Sequence, residues 1–363
     1  METKCPVCGA HGVPLPKLPR SLLSDGRTLD QPLRKASCLD CGAAYVDPRP
    51  DNDTVRGWYE NGYSLATFAV CGAADRATRY AAWLATLLDF ADVRDVLEIG
   101  AGGGALLAAL RASWPHLVVT GLDPAADGQT VLRGVAADAR LSGQFDLVLS
   151  VNVIEHAFDP GEFFEDAMAA MRPNGLQVLI CPGAEPVNDE LVFADHLTTF
   201  TERAIGRLAA RVGLAVRSVV RAPAPLGAFV AYVLSRSGPT SVVEPISADG
   251  HVARAVYLEG WRALDDVLCA RLPEGGCVAF GAGQAAAAVR AYAPSAWARI
   301  EALMLDDPTE AWPLNKPVAR ISGPVQIGTP LLILINARGQ ANCAERMRLQ
   351  GWRAIRFDDL IGS

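Results

Sequence analysis

The segment Asp95-Val-Leu-Glu98-Ile-Gly100-Ala-Gly102-Gly-Gly104 sets an acid beside a glycine-rich turn, and helix-like Ala105-Leu-Leu-Ala-Ala-Leu-Arg111 follows at once. Glycines let the backbone pass close to a ligand where any Cβ would collide with it. A carboxylate just before the turn repels phosphate oxygens but attracts an ammonium or a sulfonium. A second acid, Asp123, ends Leu117-Val-Val-Thr-Gly-Leu-Asp123, about 20 residues on, the distance at which a carboxylate grips ribose hydroxyls. Ammonium, sulfonium and ribose occur together in S-adenosylmethionine (SAM), so the chemistry read here is methyl transfer. The loop alone leaves a dinucleotide open, because the same strand, turn and helix begin Gly-x-Gly-x-x-Gly folds.

Methyl transfer is an in-line displacement at a sulfonium, for which a protein mainly supplies alignment. A hydroxyl or α-carbon nucleophile must also lose a proton, and histidine titrates near neutral pH. His196, in Asp195-His-Leu-Thr-Thr-Phe200, is the first candidate base, with Asp195 placed to orient its imidazole. His156, after the strand-like Phe145-Asp-Leu-Val-Leu-Ser-Val-Asn152, is the rival. Bland readings stand beside both: a backbone-bonded structural histidine for His196, and a scaffold residue paired with Glu155 for His156.

Four of the nine cysteines fall into Cys5-Pro-Val-Cys8 and Cys38-Leu-Asp-Cys41, each pair followed by glycine. Two such knuckles place four thiolates tetrahedrally around Zn²⁺. A closed four-sulfur site is structural, so no catalytic role is assigned to it. Cys71, Cys181, Cys269, Cys277 and Cys343 read as core or incidental thiols.

The elements that position these residues divide the chain. Residues 1–50 form a zinc-binding module. Residues 51–92 carry a helical pattern with Trp58, Tyr59, Tyr63, Phe68, Tyr80 and Trp83, a linker or lid whose first aromatics either pack on the next domain or roof a pocket. Residues 93–235 alternate strands and helices around the glycine turn. A polar linker over 235–250 leads to residues 251–363, where Gly276-Cys-Val-Ala-Phe-Gly281-Ala-Gly283 repeats the strand and turn in a second, smaller Rossmann-like α/β domain.

Composition narrows the function classes. With 33 basic against 40 acidic residues, the net charge of −7 argues against a nucleic-acid footprint. No apolar run approaches a membrane span of about 20 residues, and the N-terminus lacks the apolar core of a signal peptide. A cytoplasmic protein acting on a small molecule is expected, without nucleic-acid or membrane partners.

The order Glu98–Gly104, Asp123, Asp138 and Asn152 resembles the class I SAM-dependent methyltransferases over roughly residues 80 to 235. The resemblance implies that Glu98, Gly100, Gly102 and Gly104 face the methionine portion, Asp123 the ribose and Asp138 the adenine amine, with Asn152 bordering the cofactor. With the zinc module and the C-terminal domain, nearly the whole chain is similar to the sugar C-methyltransferases of deoxysugar biosynthesis. Those enzymes act on a nucleotide-linked ketosugar, a base making the enolate that attacks the SAM methyl. Their Tyr-x-Glu-His segment, ending in the base, looks like Phe193-Ala-Asp195-His196, with phenylalanine replacing tyrosine. O- or N-methylation of a non-sugar natural-product intermediate, free or carrier-linked, is the alternative. A non-catalytic zinc and Rossmann assembly module is another, and an oxidoreductase using Gly281-Ala-Gly283 a further one.

Overall fold

The computed structural model describes residues 4–60, 73–126, 128, 130–135, 137, 143–223, 226–236, 249–324 and 326–361. Asp138, Tyr63, Phe68, Cys71 and most of the linker over 235–250 lie outside these residues. No helix among the described residues is long and apolar enough to cross a membrane.

The two cysteine pairs close loops of one geometry. Gly9 N donates to Cys5 O and Gly42 N to Cys38 O at 2.9 Å, while Cys5 N and Cys38 N donate to Ala10 O and Ala43 O at 2.8 Å. Both glycines sit at φ +75°, a left-handed backbone costing a side-chain-bearing residue about 1–2 kcal/mol. The connecting chain forms β1 (Gly12–Pro14), β2 (Ser21–Leu22), β3 (Thr28–Leu29), β4 (Lys35–Cys38) and β5 (Ala44–Val46), followed by the helix Asn52–Glu60. A helix over Ala73–Leu87 comes next and buries Tyr80, Trp83 and Leu84 against the central sheet.

That sheet is built from β6 (Asp95–Ile99), β7 (Val118–Asp123), β8 (Leu132–Arg133), β9 (Phe145–Val151) and β10 (Met171–Pro182). After β11 (Thr198–Thr199), the strands β12 (Ala215–Arg221) and β13 (Phe229–Ser235) complete it. Its order is β12-β13-β10-β9-β6-β7-β8. β13 runs antiparallel to both neighbours, and the other pairings are parallel. The inner strands are apolar runs such as Leu147, Val148 and Leu149, all fully buried, as a sheet covered on both faces requires. From β6 the chain winds one way to β7 and β8, then returns to place β9 on the other side of β6. Ligands of open α/β sheets bind beyond the strand ends at such a reversal, here the crevice outside Ile99 and Val151.

The N-terminal module is not a separate body. β11, from the segment after β10, adds to its sheet in the order β1-β4-β5-β11, with Thr198 opposite Tyr45 and Thr199 opposite Ala44. Val46 N donates to Leu197 O at 3.0 Å and Ala194 N to Leu22 O at 2.7 Å. Arg49 donates to Ala157 O and Phe158 O at 2.8 Å and to Thr198 Oγ1 at 3.2 Å, tying together the segments that follow β9 and β10. The expected boundary at residue 50 therefore divides sequence, not structure.

The C-terminal part opens with the helix Asp249–Arg271 and forms a parallel sheet of β14 (Cys277–Phe280), β15 (Ile300–Leu305), β16 (Val318–Arg320), β17 (Pro330–Ile333) and β18 (Arg353–Arg356), in the order β16-β15-β14-β17-β18. Trp261, Leu264 and the alanines 285–288 of the helix Gln284–Tyr292 share one core with Leu18, Leu22, Leu33 and Phe193. This sheet thus packs on the module and on the segment leading to His196.

Candidate active site

At the end of β6 the chain turns through Gly100, φ +76°, where a Cβ would lie 2.2 Å from Val153 Cγ2. Only glycine lets this loop approach the segment after β9. Gly102 and Gly104 also take positive φ, and Gly104 opens the helix Ala105–Ser113. Gly100 N and Ala101 N donate to Leu122 O at 2.7 and 2.9 Å, fixing the loop on β7. Asp123 reinforces this: Oδ2 accepts from Gly102 N and Oδ1 from Ala125 N, both at 2.8 Å. The carboxylate assigned to ribose thus also holds the glycine turn, and each oxygen keeps a further lone pair.

Glu98 is 4% exposed and its Oε2 has no hydrogen-bond partner. Burial, helped by the charge of Asp123, pushes its carboxyl up to about 8. A buried acid held for want of a cation fits the methionine end of SAM, and the open glycine turn beside it fits a ligand passing close to backbone. Asn152 adopts φ +56°, and its N donates to Ile180 O at 2.8 Å, carrying the chain from β9 across the crevice. Glu98, Gly100, Gly102, Gly104, Asp123 and Asn152 are thus gathered around the ends of β6, β7 and β9. Asp123→Ala is expected to weaken SAM binding by about 1.5–3 kcal/mol, the worth of charge-assisted hydrogen bonds. Calorimetry returning the wild-type affinity would remove Asp123 from the cofactor site.

Beyond Asn152, the 3₁₀ turn Ile154–His156 brings His156 against His196, ring centroids 4.6 Å apart and nearly perpendicular. His156 Nδ1 lies 2.8 Å from Asp195 O. A carbonyl only accepts, so this bond assigns the hydrogen to Nδ1 and leaves the lone pair on Nε2. Burial, joined by the charge of His196, lowers His156 to about 4. For His196 burial opposes the charge, but the Glu190 carboxylate on its Nδ1 prevails and lifts it to about 9. The pair is thus split, one ring neutral with a free lone pair, the other held as a cation. Tyr59 meets the edge of His156 at a centroid distance of 5.9 Å, whereas Trp58 packs on the core shared with the C-terminal sheet.

Asp195 departs from its expected role. Its carboxylate accepts from Ser24 N at 2.8 Å and Ser24 Oγ at 2.6 Å, and its Oδ2 lies 3.8 Å from His156 Nδ1. Glu190, in the 3₁₀ turn Asp189–Val192, supplies the carboxylate on His196 instead. Lys35, fully buried on β4, donates to His196 O at 3.0 Å. Sequence reading missed Glu190, Ser24 and Lys35. For Glu190 the only signal was an acid six residues before the histidine, and the other two come from another part of the chain.

The four N-terminal cysteines converge. Cys5 Sγ lies 3.5 Å from Cys41 Sγ and Cys8 Sγ 3.4 Å from Cys38 Sγ, and all four sulfurs fall within 4.8 Å of one another. Tetrahedral zinc with Zn–S bonds of about 2.3 Å has sulfurs about 3.8 Å apart, so this soft donor set fits it. In the C-terminal sheet, a Cβ on Gly281 would lie 2.2 Å from Leu334 O, so that glycine serves packing of loop on strand. Asp306, the residue after β15, pairs with Arg346 at 2.8 Å.

Residues 73–219 match the family described as "Methyltransferase domain". A ubiquinone biosynthesis O-methyltransferase of Methylobacterium sp. (strain 4-46) is 38% identical over 99 residues, 22% of this chain and 38% of that protein. The same enzyme from Caulobacter sp. (strain K31) is 32% identical over 98 residues, 23% and 39% of the two chains. The chain thus spans well under half the length of these relatives. Among solved structures, a 1,6-didemethyltoxoflavin N1-methyltransferase of Burkholderia thailandensis has a TM-score of 0.40 at 17% identity, over 55% of this chain and 94% of that one. Residues 73–219, built on the α/β sheet, accordingly match a methyltransferase domain.

Proposed function

We propose that the chain transfers the methyl group of SAM to a small-molecule acceptor, activated at the histidine pair beside the cofactor crevice. The observation that carries this reading is the orphaned Glu98 carboxylate at the glycine turn, one strand from a neutral imidazole with its lone pair free. Among acceptors, a nucleotide-linked ketosugar methylated on carbon is the preferred reading. The two-knuckle module, the second α/β sheet and Phe193-Ala-Asp195-His196 support it. O- or N-methylation of another natural-product intermediate is the second reading, supported by the matched O-methyltransferase stretch. Structural zinc on Cys5, Cys8, Cys38 and Cys41 belongs to the same proposal.

SAM, when bound, supplies the electrophilic methyl. Glu98 attracts its cationic end, the Gly100–Gly104 turn lets it approach the backbone, and Asp123 takes the ribose. Either imidazole can take the acceptor's proton in principle. The tautomer favours His156 Nε2 as the acceptor of that proton. His196, charged by Glu190, then donates to the oxygen on which negative charge develops.

One test is proton linkage. Free Glu98 is largely protonated at neutral pH, whereas SAM binding selects its carboxylate. Binding at pH 7 should therefore release close to one proton. Affinity should rise toward about tenfold per pH unit between about pH 6 and about pH 7.5, below the range in which an α-amino group loses its own charge. Glu98→Gln should abolish both effects. Calorimetry in buffers of different ionisation enthalpy reads them. Absence of SAM and S-adenosylhomocysteine binding would overturn methyl transfer. Transfer of labelled methyl to a panel of ketosugar nucleotides, phenols and amines distinguishes the acceptors.

A further inference from the structure

Glu155, His156 and His196 each offer one ligand atom, and the three atoms lie within 4.8 Å of one another. Two neighbouring imidazoles need not mean more than proton exchange. What their outer nitrogens touch is more specific. His156 Nδ1 is engaged by Asp195 O at 2.8 Å, and His196 Nδ1 by the Glu190 carboxylate. A histidine that ligates through Nε2 almost always gives its other N–H to a backbone carbonyl or a carboxylate, which fixes the ring and raises its basicity. Both kinds of partner stand here, a carbonyl hydrogen-bonded to the His156 ring and a carboxylate ion-paired with the His196 ring. Glu155 is the independent observation: it is 2% exposed, and its Oε2 has no hydrogen-bond partner. A buried carboxylate oxygen without a hydrogen-bond partner, beside two imidazoles, is a donor that a metal ion would satisfy.

We propose that Glu155, His156 and His196 form a binding site for a divalent first-row transition metal, separate from the four-cysteine centre. Two imidazoles and one carboxylate suit manganese, iron, cobalt, nickel or zinc rather than calcium or magnesium. Three protein ligands leave coordination positions open, as in sites that bind a reactant. The turn carrying Glu155 and His156 follows Asn152 directly, so those positions belong to the acceptor side of the crevice. The inference rests on the reading that this crevice takes the acceptor, and it narrows the acceptor's class. A molecule with oxygens on adjacent carbons, such as a catechol or an enediol, would chelate the ion and lose its O–H proton to water. The imidazoles then serve as ligands, and their proton exchange belongs to the metal-free protein.

Cobalt(II) titration of the full chain tests this without an acceptor. Once freed of its zinc, the wild-type protein is expected to take up two equivalents. The four-cysteine equivalent gives intense sulfur-to-metal charge transfer; the other gives only weak visible absorption from nitrogen and oxygen ligands. Glu155→Gln and His196→Gln should each weaken the second equivalent at least about tenfold, and Glu190→Gln, which removes an outer partner, about 10- to 100-fold. Circular dichroism and SAM calorimetry on each variant report whether it is folded and binds cofactor, so at least one folded variant decides the matter. Uptake that stops at the four-cysteine equivalent overturns the site. So does a second equivalent whose affinity is unchanged in a folded Glu155→Gln or His196→Gln protein. SAM binding without the second metal sinks only this site; metal uptake without SAM binding sinks methyl transfer and leaves the site standing.

Discussion

Cys38→Ser is expected to release the N-terminal metal and unfold much of the module, with loss of methyl transfer as a secondary effect. Metal binding to four thiolates supplies about 10–16 kcal/mol in small zinc-dependent folds. That exceeds or equals the entire stability of a typical domain, about 5–15 kcal/mol. Cys38 ends β4, so the effect passes directly into the sheet that β4 and β5 share with β11. Val46, Lys35 and Arg49 then lose their hold on Leu197 O, His196 O and Thr198 Oγ1, and the segment bearing His196 is released. The glycine turn and Asp123 are fixed by β6 and β7 alone, so SAM affinity should survive within a few-fold. Elemental analysis and SAM calorimetry on the same sample separate these effects. Fresh wild-type protein with under about half an equivalent of zinc, or Cys38→Ser retaining its metal, would refute the structural centre.

The parts of the fold legible in the sequence were those set by local chemistry. β6 is marked by Val96 and Leu97 beside Glu98, its turn by glycines that the φ values require, and the cysteine knuckles by spacing plus a following glycine. Each is a decision taken within about ten residues. The histidine nest was only half legible. His196 and His156 stand out as rare titratable residues after apolar strands, but their partners depend on tertiary register. Adjacent Asp195 was the natural partner for His196, yet successive side chains diverge, and Ser24, 171 residues away in sequence, claims its carboxylate. Glu190 reaches the imidazole only because the 3₁₀ turn Asp189–Val192 folds back. The joining of module and central domain through β11 was equally hidden, since a two-residue strand has no periodicity to read.

His196→Ala and His156→Ala are each expected to lower turnover by about 10²–10⁴, the usual worth of a positioned proton donor or acceptor, while SAM affinity stays nearly intact. The pH profile of protein that keeps its four-cysteine metal but carries none at Glu155, His156 and His196 separates their roles. His156 is lowered to about 4 by burial and the charge of His196, so as the base it stays ready throughout the neutral range. Turnover should then be nearly level from about pH 5.5 to about pH 8 and fall as His196 loses its proton near 9. Were His196 the base, it would first have to lose the proton that Glu190 holds on it. Turnover would then climb with pH up to about 9. Glu190→Gln sharpens the contrast, because removing that carboxylate lowers the proton affinity of His196. The falling limb should move to lower pH if His196 acts as the charged donor, whereas a base His196 would become active at lower pH. Activity retained in both alanine variants would mean that the acceptor needs no protein base, as for an amine or an already ionised oxygen.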